Sequence, residues 1–164
     1  MKNRLAILLL AALCAQALPA PAAESLHPLE PETATRLLPE RGPAVVMLWS
    51  LDCPYCDDNL ALLSRWQKKH PGLVVIRIAT DSIDAASAIR ARLRHYPVTG
   101  PCWVFGAAAP ERIRHAIDPT WHGELPRSYL IGHDGHRQAI SGRITATQLE
   151  ALQPATTSVA TPGT

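Results

Sequence analysis

The residues of this sequence best suited to chemistry are two thiols, in Cys53-Pro54-Tyr55-Cys56. One helical turn brings side chains at that spacing close enough to form and break a disulfide. The motif follows an apolar run of strand length, Ala44 to Ser50 (AVVMLWS), as expected for a strand covered on both faces. After it, Leu60, Leu63 and Trp66 recur at helical spacing up to Lys69, and Gly72 stops the pattern. A strand-to-helix junction puts Cys53 near orphan backbone N–H groups and the positive end of the helix macrodipole. Both favour thiolate over thiol. Without such help a cysteine with a pKa near 8.5 is only about 3% thiolate at neutral pH. Pro54 fits the first helical turn, where its missing N–H costs nothing. The same cysteines also read as half of a zinc site or as a purely structural disulfide. A structural zinc site needs four ligands and the chain has no second Cys-x-x-Cys. The strand-to-helix placement favours redox exchange over both.

The rest of the chain supplies the elements that would hold this junction. Leu73 to Ala79 is a second buried-strand candidate, and Asp81 or Ser82 can cap a helix through Ala85, Ile89 and Leu93, ended by Pro97. Trp103 to Phe105 reads as a short strand and Pro110 to Ile117 as a short helix. Ser128–Ile131 and Gln138–Ser141 flank Gly132-His133-Asp134-Gly135, where Asp-Gly signals a hairpin. Thr145 and Gln148 have capping-box spacing before a last helix through Leu149 and Leu152. Early β-α-β units require parallel strands, and the late hairpin adds antiparallel ones. The expected fold is a three-layer α/β architecture, a mixed sheet with helices on both faces.

Residues 1–22 have the parts of a secretory signal. Lys2 and Arg4 precede an apolar run of 11 residues, Leu5 to Ala15, and small residues offer cleavage after Ala17 or Ala22. That run is well short of the ~20 residues of a spanning helix, so no stable membrane span is expected after cleavage. Leu13 argues against a lipoprotein site at Cys14. Residues 23–43, rich in Pro and Glu, read as an irregular lead-in, 44–153 as the folded domain and 154–164 as a disordered tail. The 16 Lys and Arg less Lys2 and Arg4 leave 14, matched by 14 Asp and Glu. A nucleic-acid partner is not expected of such a neutral chain. Export implies an oxidising compartment, the periplasm, with Cys53, Cys56 and Cys102 in the mature chain.

The stretch Val46-Met47-Leu48-Trp49-Ser50-Leu51-Asp52-Cys53-Pro54-Tyr55-Cys56, with Gly123-Glu124-Leu125-Pro126-Arg127-Ser128-Tyr129-Leu130-Ile131 far downstream, resembles the thioredoxin superfamily. Within it the similarity is greatest to exported TlpA-like thiol-disulfide oxidoreductases, over roughly residues 40–152. The resemblance implies that Cys53 is the exposed nucleophile and Cys56 the buried resolving thiol. Pro126 would be the family's cis-proline, facing the disulfide and offering backbone groups to a substrate chain. Leu125, Trp49, Pro54 and Tyr55 would line the same substrate site, although Trp49 also reads as a core aromatic. Two departures stand out. Met47 occupies the place of thioredoxin's buried acid, and Asp52 replaces the aromatic often found before the first cysteine. Asp52 and Glu124 are the substitute candidates for proton handling, and each also reads as a plain surface charge. A carboxylate close to Cys53 would raise its pKa. The Pro-Tyr dipeptide, typical of glutaredoxins, does not choose between reductant and oxidant.

Cys102 reads as a buried inert thiol, or else as a third redox thiol or an intermolecular link. His115 and His122 show no recognised ligand spacing, His133 and His136 read as solvated hairpin residues, and no metal site is expected. No Gly-rich nucleotide fingerprint is present, so a separate thiol electron donor is required and the only redox group is the cysteine pair. The expected function is an exported oxidoreductase exchanging the Cys53–Cys56 disulfide with protein thiols and disulfides, in the reductase direction. Cytochrome c or metal-site maturation supplies possible substrates. The rival readings are a Cu(I)-binding assembly chaperone, whose relatives carry a wider C-x3-C, and a non-enzymatic module binding partners through the Pro126 face.

Overall fold

In the computed structural model, which describes residues 25–153, the chain opens with β1 (Leu26–Leu29), α1 (Pro31–Ala34), β2 (Ala44–Trp49) and α2 (Cys56–Lys69). It continues through β3 (Val74–Ser82), a 3-10 turn (Ile83–Ala85), α3 (Ala86–Arg94), β4 (Cys102–Phe105) and α4 (Pro110–Ile117). The hairpin β5 (Arg127–Ile131) and β6 (Arg137–Ser141) precedes α5 (Ala146–Glu150). The strands form one six-stranded sheet in the order β1-β4-β3-β2-β5-β6. The first four in that order run parallel, and β5 and β6 add antiparallel pairs. The signal segment and the tail expected from the sequence lie outside the described residues.

Every residue of β2 is buried, and the two-residue period of a strand divides them between two cores. Val45, Met47 and Trp49 join Leu60 and Leu63 of α2, Ile89 and Leu93 of α3 and Leu149 of α5 on one face. Ala44, Val46 and Leu48 join Ala34 of α1 and Ile113 and Ile117 of α4 on the other. This is the three-layer arrangement expected. The capping box forms as spaced: Gln148 N–H donates to Thr145 Oγ1 (3.3 Å), and Gln148 Oε1 accepts the Thr145 N–H (2.8 Å). At the β5–β6 turn Gly135 has φ +84°, a conformation that favours glycine, and Asp134 Oδ1 accepts the His136 N–H (2.9 Å). Among the described residues no helix is long and apolar enough to cross a membrane.

The lead-in over 23–43 differs from expectation. It carries β1 and α1, and β1 pairs in parallel with β4 at the edge of the sheet. The sequence hides this strand because only Leu29 faces fully inward, with His27 and Pro28 exposed. Leu29 is wholly buried in the α1–α4 core, and its carbonyl accepts the Gly106 N–H (3.0 Å). Leu29→Ala is therefore expected to destabilise the domain by about 2–5 kcal/mol in urea unfolding. An effect under about 0.5 kcal/mol would show that this segment is only a lead-in.

Candidate active site

Cys53 and Cys56 are joined in a disulfide, S–S 2.05 Å and Cα–Cα 5.4 Å. The regular helix starts at Cys56 with Tyr55 as its N-cap residue, so Pro54 lies in the turn before the helix rather than in its first turn. In that turn the Cys53 N–H donates to Ser50 O and the Cys56 N–H to Cys53 O, both at 3.3 Å. Cys53 keeps 7% of its surface exposed whereas Cys56 keeps none. Of the two, only Cys53 retains any surface open to solvent. Pro54 and Tyr55 stand exposed beside it.

The loop delivering Cys53 is tied to the end of β3. Asp81 accepts the Leu51 N–H on both carboxylate oxygens (3.1 and 3.3 Å), and Thr80 Oγ1 donates to Trp49 O (3.4 Å). The sequence offered Asp81 only as a helix cap. Ser82 takes that role, accepting the Asp84 N–H at 3.2 Å, and Asp81 serves the loop instead. No local pattern announces a contact across 30 residues. Burial pushes the Asp81 carboxyl up, and the negative charge of Asp52 adds to the rise, outweighing the Leu51 hydrogen bond. Asp52 itself is exposed.

Sheet register sets the level of Pro126. β5 pairs Arg127 with Leu48 and Ser128 with Met47, so Pro126 falls level with Trp49, on the face that carries both cysteines. The Leu125–Pro126 peptide is cis, and Pro126 is buried with half-buried Leu125 before it. The Pro126 carbonyl accepts the Gly142 N–H (2.8 Å). Trp49 packs in the cysteine core, and both its indole N–H and the Ser128 hydroxyl are buried without a hydrogen-bond partner.

On the opposite face a charged cluster fixes the segment leading into Pro126. Asp118 accepts from Arg127 Nη2 (2.9 Å), the Tyr129 hydroxyl (2.9 Å) and both the N–H (2.9 Å) and hydroxyl (2.6 Å) of Thr120. Burial alone would push its carboxyl up. The bonds from Thr120, Tyr129 and Arg127 outweigh that and hold it at about 2. Burial raises the Tyr129 phenol to about 12, with Asp118 adding to the rise and Arg127 opposing it. Glu124 accepts from the Ser141 hydroxyl (2.7 Å) and Arg127 Nη1 (3.4 Å). The Ser141 bond chiefly holds its carboxyl below the usual range.

Two acids in the first turn of α2, Asp57 and Asp58, complement the macrodipole but oppose negative charge on Cys53. Each has an arginine partner: Arg92 Nη1 on Asp57 (2.8 Å) and Arg143 Nε on Asp58 (2.7 Å). The Arg143 guanidinium also lies 4.8 Å over the Tyr55 ring. The sequence marked neither arginine, because both come from elements far along the chain. Cys102 is buried on β4 outside the disulfide. His115, His122, His133 and His136 are all exposed, and among the described residues no group of three or more His, Cys, Asp or Glu could hold a metal ion.

The Asp118 cluster makes stability depend on acid pH in a defined direction. A carboxyl depressed in the folded state stabilises above its unfolded pKa and loses that contribution as pH falls through the folded value. The pair is mostly buried, with Asp118 15% and Arg127 12% exposed, so screening is limited. The shift corresponds to about 2 kcal/mol, lost between about pH 5 and pH 2. Asp118→Asn should lower stability near neutral pH and flatten this acid limb in urea titrations, whereas parallel limbs in both proteins would contradict the assignment.

No protein-family model matches the sequence, and no curated protein matches it. Solved structures do. A thioredoxin-related protein from Neisseria meningitidis serogroup B aligns with TM-score 0.53 and 26% identity, over 68% of this chain and 84% of its own. A secreted Mycobacterium tuberculosis disulfide oxidoreductase homologous to E. coli DsbE aligns with TM-score 0.53 and 20% identity, over 68% and 82%. A thiol:disulfide interchange protein DsbE from Chlorobium tepidum, described as putative, aligns with TM-score 0.51 and 17% identity, over 77% and 92%. The chain thus has the thioredoxin-like fold, carries its Cys-x-x-Cys pair as a disulfide, and has thioredoxin-like thiol-disulfide oxidoreductases as its structural neighbours.

Proposed function

We propose that this protein is an exported thiol-disulfide oxidoreductase that reduces disulfides in other proteins. The observation that carries the reading is the unequal exposure of a disulfide at a helix start, with Cys53 reachable and Cys56 sealed. In the reductive direction the Cys53 thiolate attacks one sulfur of a substrate disulfide. A mixed disulfide forms and the other substrate sulfur leaves as a thiolate, which takes up a proton. Cys56, deprotonated, then attacks the Cys53 sulfur and expels the second substrate thiolate. Two electrons have passed to the substrate and the Cys53–Cys56 disulfide remains. A separate dithiol donor must reduce it again.

Trp49, Leu125, Pro126, Pro54 and Tyr55 form the substrate side of this reading, with the Pro126 backbone as the feature a polypeptide would line up against. Asp52 beside Asp81 is the acidic pair set by the chain around the Cys53 loop, and it is the candidate for handling the Cys56 proton. Glu124 is held by Ser141 and Arg127. The signal-like residues 1–22 support export to the periplasm, as does the secreted Mycobacterium tuberculosis neighbour. The TlpA-like resemblance supports the reductase direction, with cysteines of apocytochrome c or of a metal-site assembly factor as substrate class.

Insulin reduction by dithiothreitol, followed by turbidity, tests the reading. Cys53→Ser should fall to the uncatalysed rate, and Cys56→Ser should accumulate a mixed disulfide with the substrate chain on a non-reducing gel. Undiminished activity in Cys53→Ser would remove Cys53 from its role.

A further inference from the structure

Three residues between β6 and α5, Gly142, Arg143 and Ile144, touch both halves of the site. Asn59 lies on α2 three residues after Cys56 and is 1% exposed. Its Nδ2 donates to Gly142 O (3.1 Å), and its Oδ1 accepts the Ile144 N–H (3.0 Å). The Gly142 N–H in turn donates to Pro126 O (2.8 Å). A single glycine is therefore bonded on one side to the cysteine helix and on the other to the cis-proline segment. Gly142 has φ +98°, where side chains are disfavoured, yet a Cβ there would meet nothing within 4 Å. The glycine serves its backbone direction, not a lack of room. Outside this buried link, Arg143 ties the same three residues to the first turn of α2 through Asp58 and to the inter-cysteine Tyr55.

We propose that the Gly142–Ile144 strap, anchored by Asn59, is a positioning device that sets the spacing between the disulfide and the Pro126 backbone and so favours polypeptide substrates over small disulfides. The inference rests on the oxidoreductase reading above. A small disulfide needs only the Cys53 sulfur, on the one cysteine of the pair that keeps some exposed surface. A polypeptide must meet Cys53 and the Pro126 segment together, and small errors in the placement of reacting groups are costly. Loosening the strap should therefore penalise the large substrate selectively. The buried Asn59 pair is the strong leg, since removing one partner leaves buried polar groups unsatisfied. The Arg143–Asp58 pair is exposed and is the weak leg.

The test uses the full chain and three variants. Asn59→Asp keeps an acceptor for Ile144 but removes the donor to Gly142. Gly142→Ala strains the backbone without filling occupied space. Arg143→Ala cuts the surface leg, leaving Asp58 unpaired, a charge change that bears on both substrates alike, and Tyr55 without its guanidinium. For each, kcat/KM for insulin is compared with the rate at which the reduced protein reacts with oxidised glutathione. The first two are expected to lose about ten-fold on insulin while the glutathione rate stays within about two-fold. Arg143→Ala should lose about two- to three-fold in the same sense, and its exposed position puts folding at little risk. Rates that fall in parallel, or an insulin-to-glutathione ratio unchanged in Arg143→Ala and in every folded partner variant, would overturn the strap's role. An unreactive wild type would overturn the oxidoreductase reading itself, a result distinct from an active wild type with unchanged ratios.

Discussion

Strand β2 carries a constraint on which the rest of the molecule depends: six consecutive residues must be buried on both faces at once. Such a strand can only be central, so it needs neighbours on each edge and helices above and below. β3 and β5 supply the edges, and the two cores supply the cover. The alternation then has a chemical result. Trp49 ends the strand on the α2 face, so the loop after it opens toward the start of α2, and the antiparallel β5 brings Pro126 to the same level and face. The disulfide is held where a buried strand runs out.

Around that point the electrostatics work in both directions. A helix start favours thiolate on a nearby cysteine, and neighbouring carboxylates oppose it. Asp57 and Asp58 lie in the first turn of α2, and Asp52 and Asp81 repel each other beside the loop before it. Arg92 and Arg143 offset two of those acids, and the Asp81 carboxylate is occupied by the Leu51 N–H. The charges around the motif are thus paired by residues from β3, α3 and the strap after β6. A Cys-x-x-Cys motif with the same Pro-Tyr interior would have different chemistry in another frame. On the far face, Asp118 and Arg127 bracket the segment before Pro126 with a part-buried, hydrogen-bonded ion pair.

Much of this was legible in the sequence where the signal was local. The apolar run at 44–49, the capping box at Thr145 and Gln148, the Asp-Gly hairpin and the helical spacing in α2 all read directly, because each depends on neighbours within a few residues. The cysteine pair was legible for the same reason, and Pro126 came from a resemblance rather than from any pattern. What stayed hidden was set by distant contacts. β1 has one inward residue and no alternation to read, and its pairing with β4 joins Leu26 to Cys102, far along the chain. Asp81, Asn59, Arg143 and Asp118 look like ordinary polar residues of loops and helix turns. Apart from Thr120 beside Asp118, the partners cited for them lie from 9 to 85 residues away, so only the fold reveals what they hold.

The central claim is that Cys53–Cys56 is a working redox couple and not a structural clasp. Equilibrating the folded protein in dithiol and disulfide buffers of known potential, and measuring the oxidised fraction of the pair, tests it most directly. The account predicts a reversible two-electron transition between about −120 and −270 mV, toward the more reducing end for a reductase. A pair that stays oxidised below about −300 mV, and yields to dithiothreitol only once the fold is unfolded, would contradict it.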